Sequence, residues 1–200
     1  MTKRKNQSSF LIVPPVINRD TWNDLLITII ESALKGTKLG CENMIAYRYL
    51  LNQSIRQYII PENNWHLSKA ADSLWNSITS CDIRKYNYRQ LIKCDCANQT
   101  QAKKYQGNSL QGSPIKISKN DLIPFNQLFT AEHMTPIADV IKELEKLSNP
   151  SRQNIQKILD QIHICRITKE DDKQICPKYG RGINLSNILS SSYKDISLIY

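Results

Sequence analysis

Leu128-Phe129-Thr130-Ala131-Glu132-His133-Met134-Thr135-Pro136 decides how this chain is read. The run is apolar and strand-like until it meets an acid–histidine pair, and a proline then stops it. Thr135 is a good helix N-cap, with Pro136 at the first helical position. The segment therefore marks a change from a β-rich middle to a helical C-terminal part.

Upstream of it, the pattern is that of strands. Tyr86 to Cys96 is rich in aromatic and β-branched residues and reads as a strand. Lys103 to Asn108 reads as a strand entering a turn, Gly107 to Gly112 as a polar loop, and Pro114 to Ser118 and Leu122 to Phe129 as further strands. Before Asp82 the period changes to that of helices. Trp22, Leu25, Leu26, Ile29, Ile30 and Ala33 recur at helical spacing, and Gly36 closes that helix. A second helix is expected from Glu42 to Ile59, ended by Pro61, and a third from Ser68 to Ile78, carrying Leu74 and Trp75.

Downstream, Ile137, Val140, Ile141, Leu144 and Leu147 form one apolar stripe, and Ile155, Ile158, Leu159 and Ile162 form another, separated by Ser148 to Ser151. His163 to Ile167 is compatible with a short strand, and Thr168 to Asp171 caps a further helix. Gly180 to Tyr200 is Ser-rich and predicts loops over the core. These readings define an α+β protein: a basic arm and extended segment at 1–20, then one domain at 21–200. That domain has a helical subregion at 21–80, a β-rich subregion at 81–129 and a C-terminal part at 130–200 that holds the candidate site.

The chain has 200 residues, 40% of them hydrophobic and 22% charged, which excludes disordered and collagen-like classes. No run of about 18 apolar residues is present, so no membrane span is expected. The basic start breaks at Pro14-Pro15 without a small-residue cleavage site, which predicts a soluble, cytoplasmic protein. Cysteines stand at 41, 81, 94, 96, 165 and 176, and reduced thiols are the expected state there. Cys94 and Cys96 would share a face if they lay in a strand, which leaves open a structural Zn²⁺ completed by Cys81, Cys165 or Cys176.

Lys plus Arg total 27 and Asp plus Glu 18, giving a net charge of +9, and polyanions attract such a chain. In the β-rich middle, Arg84, Lys85, Tyr86, Tyr88, Arg89, Lys103, Lys104 and Tyr105 interleave cations with aromatic rings. That pattern suits nucleic acid, with cations on phosphates and rings on bases, and equally suits a solvated sheet face. Tyr47, Tyr49 and Tyr58 read either as packing residues or as partner-facing ones.

The chain has three histidines. His66 sits beside Trp65 in a polar turn, without an acidic neighbour at chelating spacing. His133 follows Glu132, and Asn154 and His163 come later, with eight residues between those two. An acid-His pair at a strand end, x-x-Pro, then Asn-x8-His resembles the HNH (ββα-metal) nuclease motif, over residues 128–165. The organisation of the whole chain is similar to small Type II restriction endonucleases of that type. The resemblance implies His133 as general base on a water and Asn154 as the residue that orients the imidazole or the loop. It also implies Glu132 and His163 as ligands of a divalent ion, Mg²⁺ or Mn²⁺. Double-stranded DNA would be the substrate, and two-strand cutting would favour a homodimer.

The sequence departs from that family in three ways. Glu132 stands where the family prefers Asp. A helix follows Pro136 where a Gly-rich loop and a second strand are common. Positions nine apart on one straight helix differ by about 180° in azimuth, so Asn154 must lie in a turn before the helix if it is to work with His163. Alternatively the second strand is His163 to Ile167, and Glu170 or Asp171 replaces His163 as ligand. Two rivals stand beside the nuclease reading: a non-catalytic nucleic-acid-binding protein and a toxin-like ribonuclease. Asp171-Asp172-Lys173 is the nearest approach to another nuclease signature, and a solvated helix face explains it better.

Overall fold

The computed structural model describes residues 18–38, 44–86, 90–103, 114–175 and 182–199. The N-terminal part is a pair of packed helices, α1 (Arg19–Lys38) and α2 (Met44–Gln57). Gly36 does not close α1, which continues past it. Its role is close approach: a Cβ built there would lie 2.5 Å from the Tyr47 ring. Asn23 fastens the end of α2, donating from Nδ2 to Ile59 O at 2.9 Å and accepting Ile59 N–H at 2.9 Å.

β1 (Trp65–Ser68) follows, then α3 (Lys69–Ile78). Ser68 ends the strand and caps the helix, its side chain accepting Ala71 N–H. The β-rich middle consists of two short antiparallel pairs. In one, β2 (Leu91–Lys93) pairs with β5 (Leu122–Pro124), and in the other, β3 (Asn98–Lys103) pairs with β4 (Pro114–Ser118). A single turn of helix, α4 (Phe125–Leu128), then leads into β6 (Phe129–His133).

The C-terminal part contributes α5 (Ile137–Glu145), α6 (Arg152–Leu159), β7 (Ile164–Thr168), α7 (Lys169–Gln174), α8 (Leu185–Ser192) and β8 (Leu198–Ile199). Four strands from distant parts of the chain assemble in the order β6-β7-β1-β8. β7 runs parallel to β1 and antiparallel to β6, and β8 runs antiparallel to β1. The expected α+β architecture is present.

Three apolar clusters hold this together. Ile30, Leu34, Leu51 and Ile55 of the helix pair meet Val140, Leu144, Ile155 and Leu159 of α5 and α6. Trp75, Phe125 and Phe129 centre a second cluster beneath the β-rich middle. Cys165, Ile167, Ile188 and Tyr193 form a third between the sheet and α8. Each fully buried Leu, Ile or Phe contributes about 1.5–3 kcal/mol, so these clusters, rather than the short ladders, fix the strand order.

Several local expectations change. Thr135 is not the cap of α5, because Pro136 holds that position; its hydroxyl instead donates to Gln161 O at 3.1 Å and accepts His163 N–H at 3.1 Å. Part of the tail expected to be loop forms α8 and β8, since Ile188 and Ile196 are buried against the sheet. The turn expected around His66 is the strand β1. Cys94 is buried and Cys96 exposed, so the two thiols do not share a face; Cys41 and Cys176 lie outside the described residues. Among the described residues, no helix is long and apolar enough to cross a membrane.

Candidate functional site

The central strand β7 organises every histidine of the chain. Because side chains alternate along a strand and cross-strand partners share a face, the register separates the candidates. His133 is opposite Ile164, which is opposite Trp65; Ala131 is opposite Arg166, which is opposite Leu67. These residues share the front face. Glu132 is opposite Cys165, which is opposite His66, and these occupy the back face. Glu132 and His133 therefore project from opposite sides of one strand.

Electrostatics follow that division. Burial, together with the Arg56 and Arg166 cations, lowers His133 from 6.5 to about 4, so its imidazole is neutral near pH 7. Cys165 is held far above the usual thiol range by burial, with the Asp171 and Glu132 carboxylates adding to it. It is an inert thiol under α8.

The back face gathers two imidazoles. His66 Nε2 lies 2.9 Å from His163 Nδ1, with ring centroids 5.1 Å apart and planes tilted by 35°. His66 is buried and His163 half-buried. Burial lowers both, and the neighbouring His66 helps to bring His163 to about 4. Two neutral rings at this separation either share one proton in a hydrogen bond or offer two lone pairs to one cation. His163 is positioned by its backbone, whose carbonyl accepts Met134 N–H at 2.9 Å. Glu132 lies on the same face, a diagonal neighbour of His163 across the β6–β7 ladder. Among the described residues, no group of three or more His, Cys, Asp or Glu side chains comes together at metal-binding distance.

The remaining candidates are placed as follows. Asn154 lies in the first turn of α6, where its N–H is capped by Ser151 Oγ and its Nδ2 donates to Asn149 O at 3.2 Å, so it braces a loop and not His133. Asp171 is engaged by a capping box with Thr168 and by Ser68 Oγ, which donates to it at 2.5 Å. Those bonds fix α7 to the sheet and occupy the carboxylate. Arg84 is exposed and ion-paired with Asp82 at 3.0 Å. Lys85 and Lys103 lie at the ends of a short 3₁₀ turn and of β3, while Arg89, Lys104 and Tyr105 lie outside the described residues.

Sequence reasoning missed two residues of this sheet. His66 had no local signal, because its partner is 97 positions away. Arg166 carried one, a cation in the middle of an apolar strand. It is 4% exposed, with its guanidinium 4.4 Å from the centroid of Trp65.

No protein-family model, curated protein or solved structure matches this chain.

Proposed function

We propose that the chain is a metal-dependent endonuclease of restriction type, hydrolysing phosphodiester bonds of double-stranded DNA from the back face of the sheet. The observation that carries this reading is the pairing of His66 with His163 at 2.9 Å on the face that also bears Glu132. Both imidazoles are held neutral by burial, the form in which nitrogen ligates a metal. They would hold one Mg²⁺, Mn²⁺ or softer divalent ion, with the Glu132 carboxylate on the same side. Such an ion, when bound, supplies charge neutralisation at the phosphoryl oxygens and acidifies a water.

The resemblance gains some support in space, since β6 and β7 pair antiparallel and α7 follows β7 directly. The role of His133 changes under this reading. From the front face it does not share a centre with Glu132, so His163 and His66 replace it as the imidazoles of the site. The net charge of +9 supplies long-range attraction for the polyanion. A homodimer would bring two such sites to the two strands.

A non-catalytic DNA-binding protein is the second reading, favoured by the separation of Glu132 from His133. Incubating the full chain with supercoiled plasmid and Mg²⁺ or Mn²⁺, with and without chelator, separates the two. Chelator-sensitive nicking or linearisation supports the nuclease; retardation of intact plasmid supports the binder. RNA supplied in a parallel reaction tests the ribonuclease alternative.

A further inference from the structure

The front face of β1 and β7 carries a second feature, a cavity bordered on one side by His66 of the histidine pair. Trp65, Trp75, Asn76, Asp82, Arg84 and Arg166 are among the residues lining a cavity of about 290 Å³ between β1, α3 and the turn that follows α3. Arg166 enters it from the central strand and is 4% exposed. Its Nη2 donates to Tyr86 O at 2.9 Å, while the buried Nε–H has no partner among the described residues. No described carboxylate forms an ion pair with it. Its other neighbours are rings: Trp65 at 4.4 Å and Phe125 at 5.5 Å.

A guanidinium taken out of water without an anion is costly, and stacking on an aromatic face returns only a part of that cost. Burial pulls Arg166 down to about 10, which still leaves it protonated at neutral pH. The charge is therefore present, fixed by the sheet and uncompensated. The planar fork of Arg matches the paired oxygens of a phosphate or carboxylate. Of the acidic groups at the cavity, Asp82 is neutralised by Arg84 at 3.0 Å, whereas Asp72 accepts from neutral Asn76 at 3.1 Å. A ligand that fits presents its anionic end to Arg166 and a hydrogen-bond donor towards Asp72.

We propose that this cavity is an oxyanion-binding site, with Arg166 as the fixed counter-charge for a phosphoryl group and Trp65 beside it as the ring against which the rest of the ligand lies. The phosphoryl group comes either from a free nucleoside monophosphate or from the terminus of a DNA strand. The site borders the nuclease reading at His66, which lines the cavity, but its binding group is Arg166 and it uses neither His163 nor Glu132.

The test titrates the full chain with a nucleoside 5′-monophosphate while following tryptophan fluorescence, with the unphosphorylated nucleoside as control. A saturable change with the phosphorylated probe alone is expected, weakened at least tenfold in Arg166→Gln. Arg166→Lys, which keeps the charge and loses the fork, should bind several-fold more weakly than the native chain. For the native chain alone, inorganic phosphate should raise the melting temperature above that in chloride of matched ionic strength. Displacement of the mononucleotide by a 5′-phosphorylated oligonucleotide identifies a strand end as the ligand; failure to displace it identifies the free monoester. The proposal is overturned if no phosphate-bearing probe binds or stabilises the native chain, or if either Arg166 variant binds as tightly as the native one.

Discussion

Glu132 and His133, adjacent in sequence, stand on opposite faces of β6, so that one looks towards Cys165 and His66 and the other towards Ile164 and Trp65. An acid–histidine dipeptide at a strand end reads as one functional unit only if the strand has already ended. Here the ladder continues through His133, and the two-residue period of the strand divides the pair.

The front-face partner makes the fold sensitive to acid. Burial lowers His133 from 6.5 to about 4, so the folded state binds the proton less readily than the unfolded chain. Its contribution is complete above pH 6.5 and is lost as pH falls towards 4, at a cost on the order of 3 kcal/mol. Denaturant titrations at pH 7.5 and pH 4.5 should show this loss, and His133→Gln should reduce the difference between the two. An unchanged difference in the variant would assign the acid sensitivity elsewhere.

The helix pair should be intolerant of one methyl group. Gly36→Ala places a Cβ 2.5 Å from the Tyr47 ring, and overpacking of this kind costs about 1–3 kcal/mol. Thermal melts should show the destabilisation. Because the cause is a single contact, Gly36→Ala combined with Tyr47→Ala should be less destabilised than the sum of the two single changes.

The sequence conveyed the helical stripes because each buries a face at regular spacing: Ile155 and Leu159 in α6, Val140 and Leu144 in α5. The capping box of Thr168 and Asp171 was legible for the same reason, being local. β1 was not. Trp65-His66-Leu67-Ser68 is a strand because β7 and β8 flank it, and four residues between Asn64 and a helix cap carry no pattern of their own. α8 was hidden by its serines: Ser186, Ser190 and Ser191 are exposed, while Ser192 is buried with Ile188. The candidate site was legible as a set of residue types, with Glu132 and His163 on one face; the contribution of His66 depends on a parallel pairing that no spacing rule contains.

Asp171 is expected to be structural. Asp171→Ala removes the acceptor of Ser68 Oγ and of Thr168 N–H in a buried setting, at a cost of about 2–3 kcal/mol. Asp171→Asn, which keeps an acceptor oxygen, should cost less. Paired denaturant titrations measure both.

Ile45 is 86% exposed and Tyr49 63% exposed, one turn apart on α2. If the proposed homodimer uses this face, Ile45→Lys with Tyr49→Lys converts a dimer to a monomer by sedimentation while leaving the helical circular dichroism intact. A native chain that sediments as a monomer at all concentrations removes the dimer from the account.

The most direct measurement compares plasmid cleavage by the native chain, His163→Ala and His133→Ala, each in Mn²⁺ or Mg²⁺ and each confirmed folded by circular dichroism. Metal-dependent cutting is expected, and it should fall by about 100-fold or more in His163→Ala. His133→Ala should stay within about threefold of native, because loss of a group outside the site costs little in rate. Equal cutting by His163→Ala, or abolition by His133→Ala alone, would contradict the back-face site.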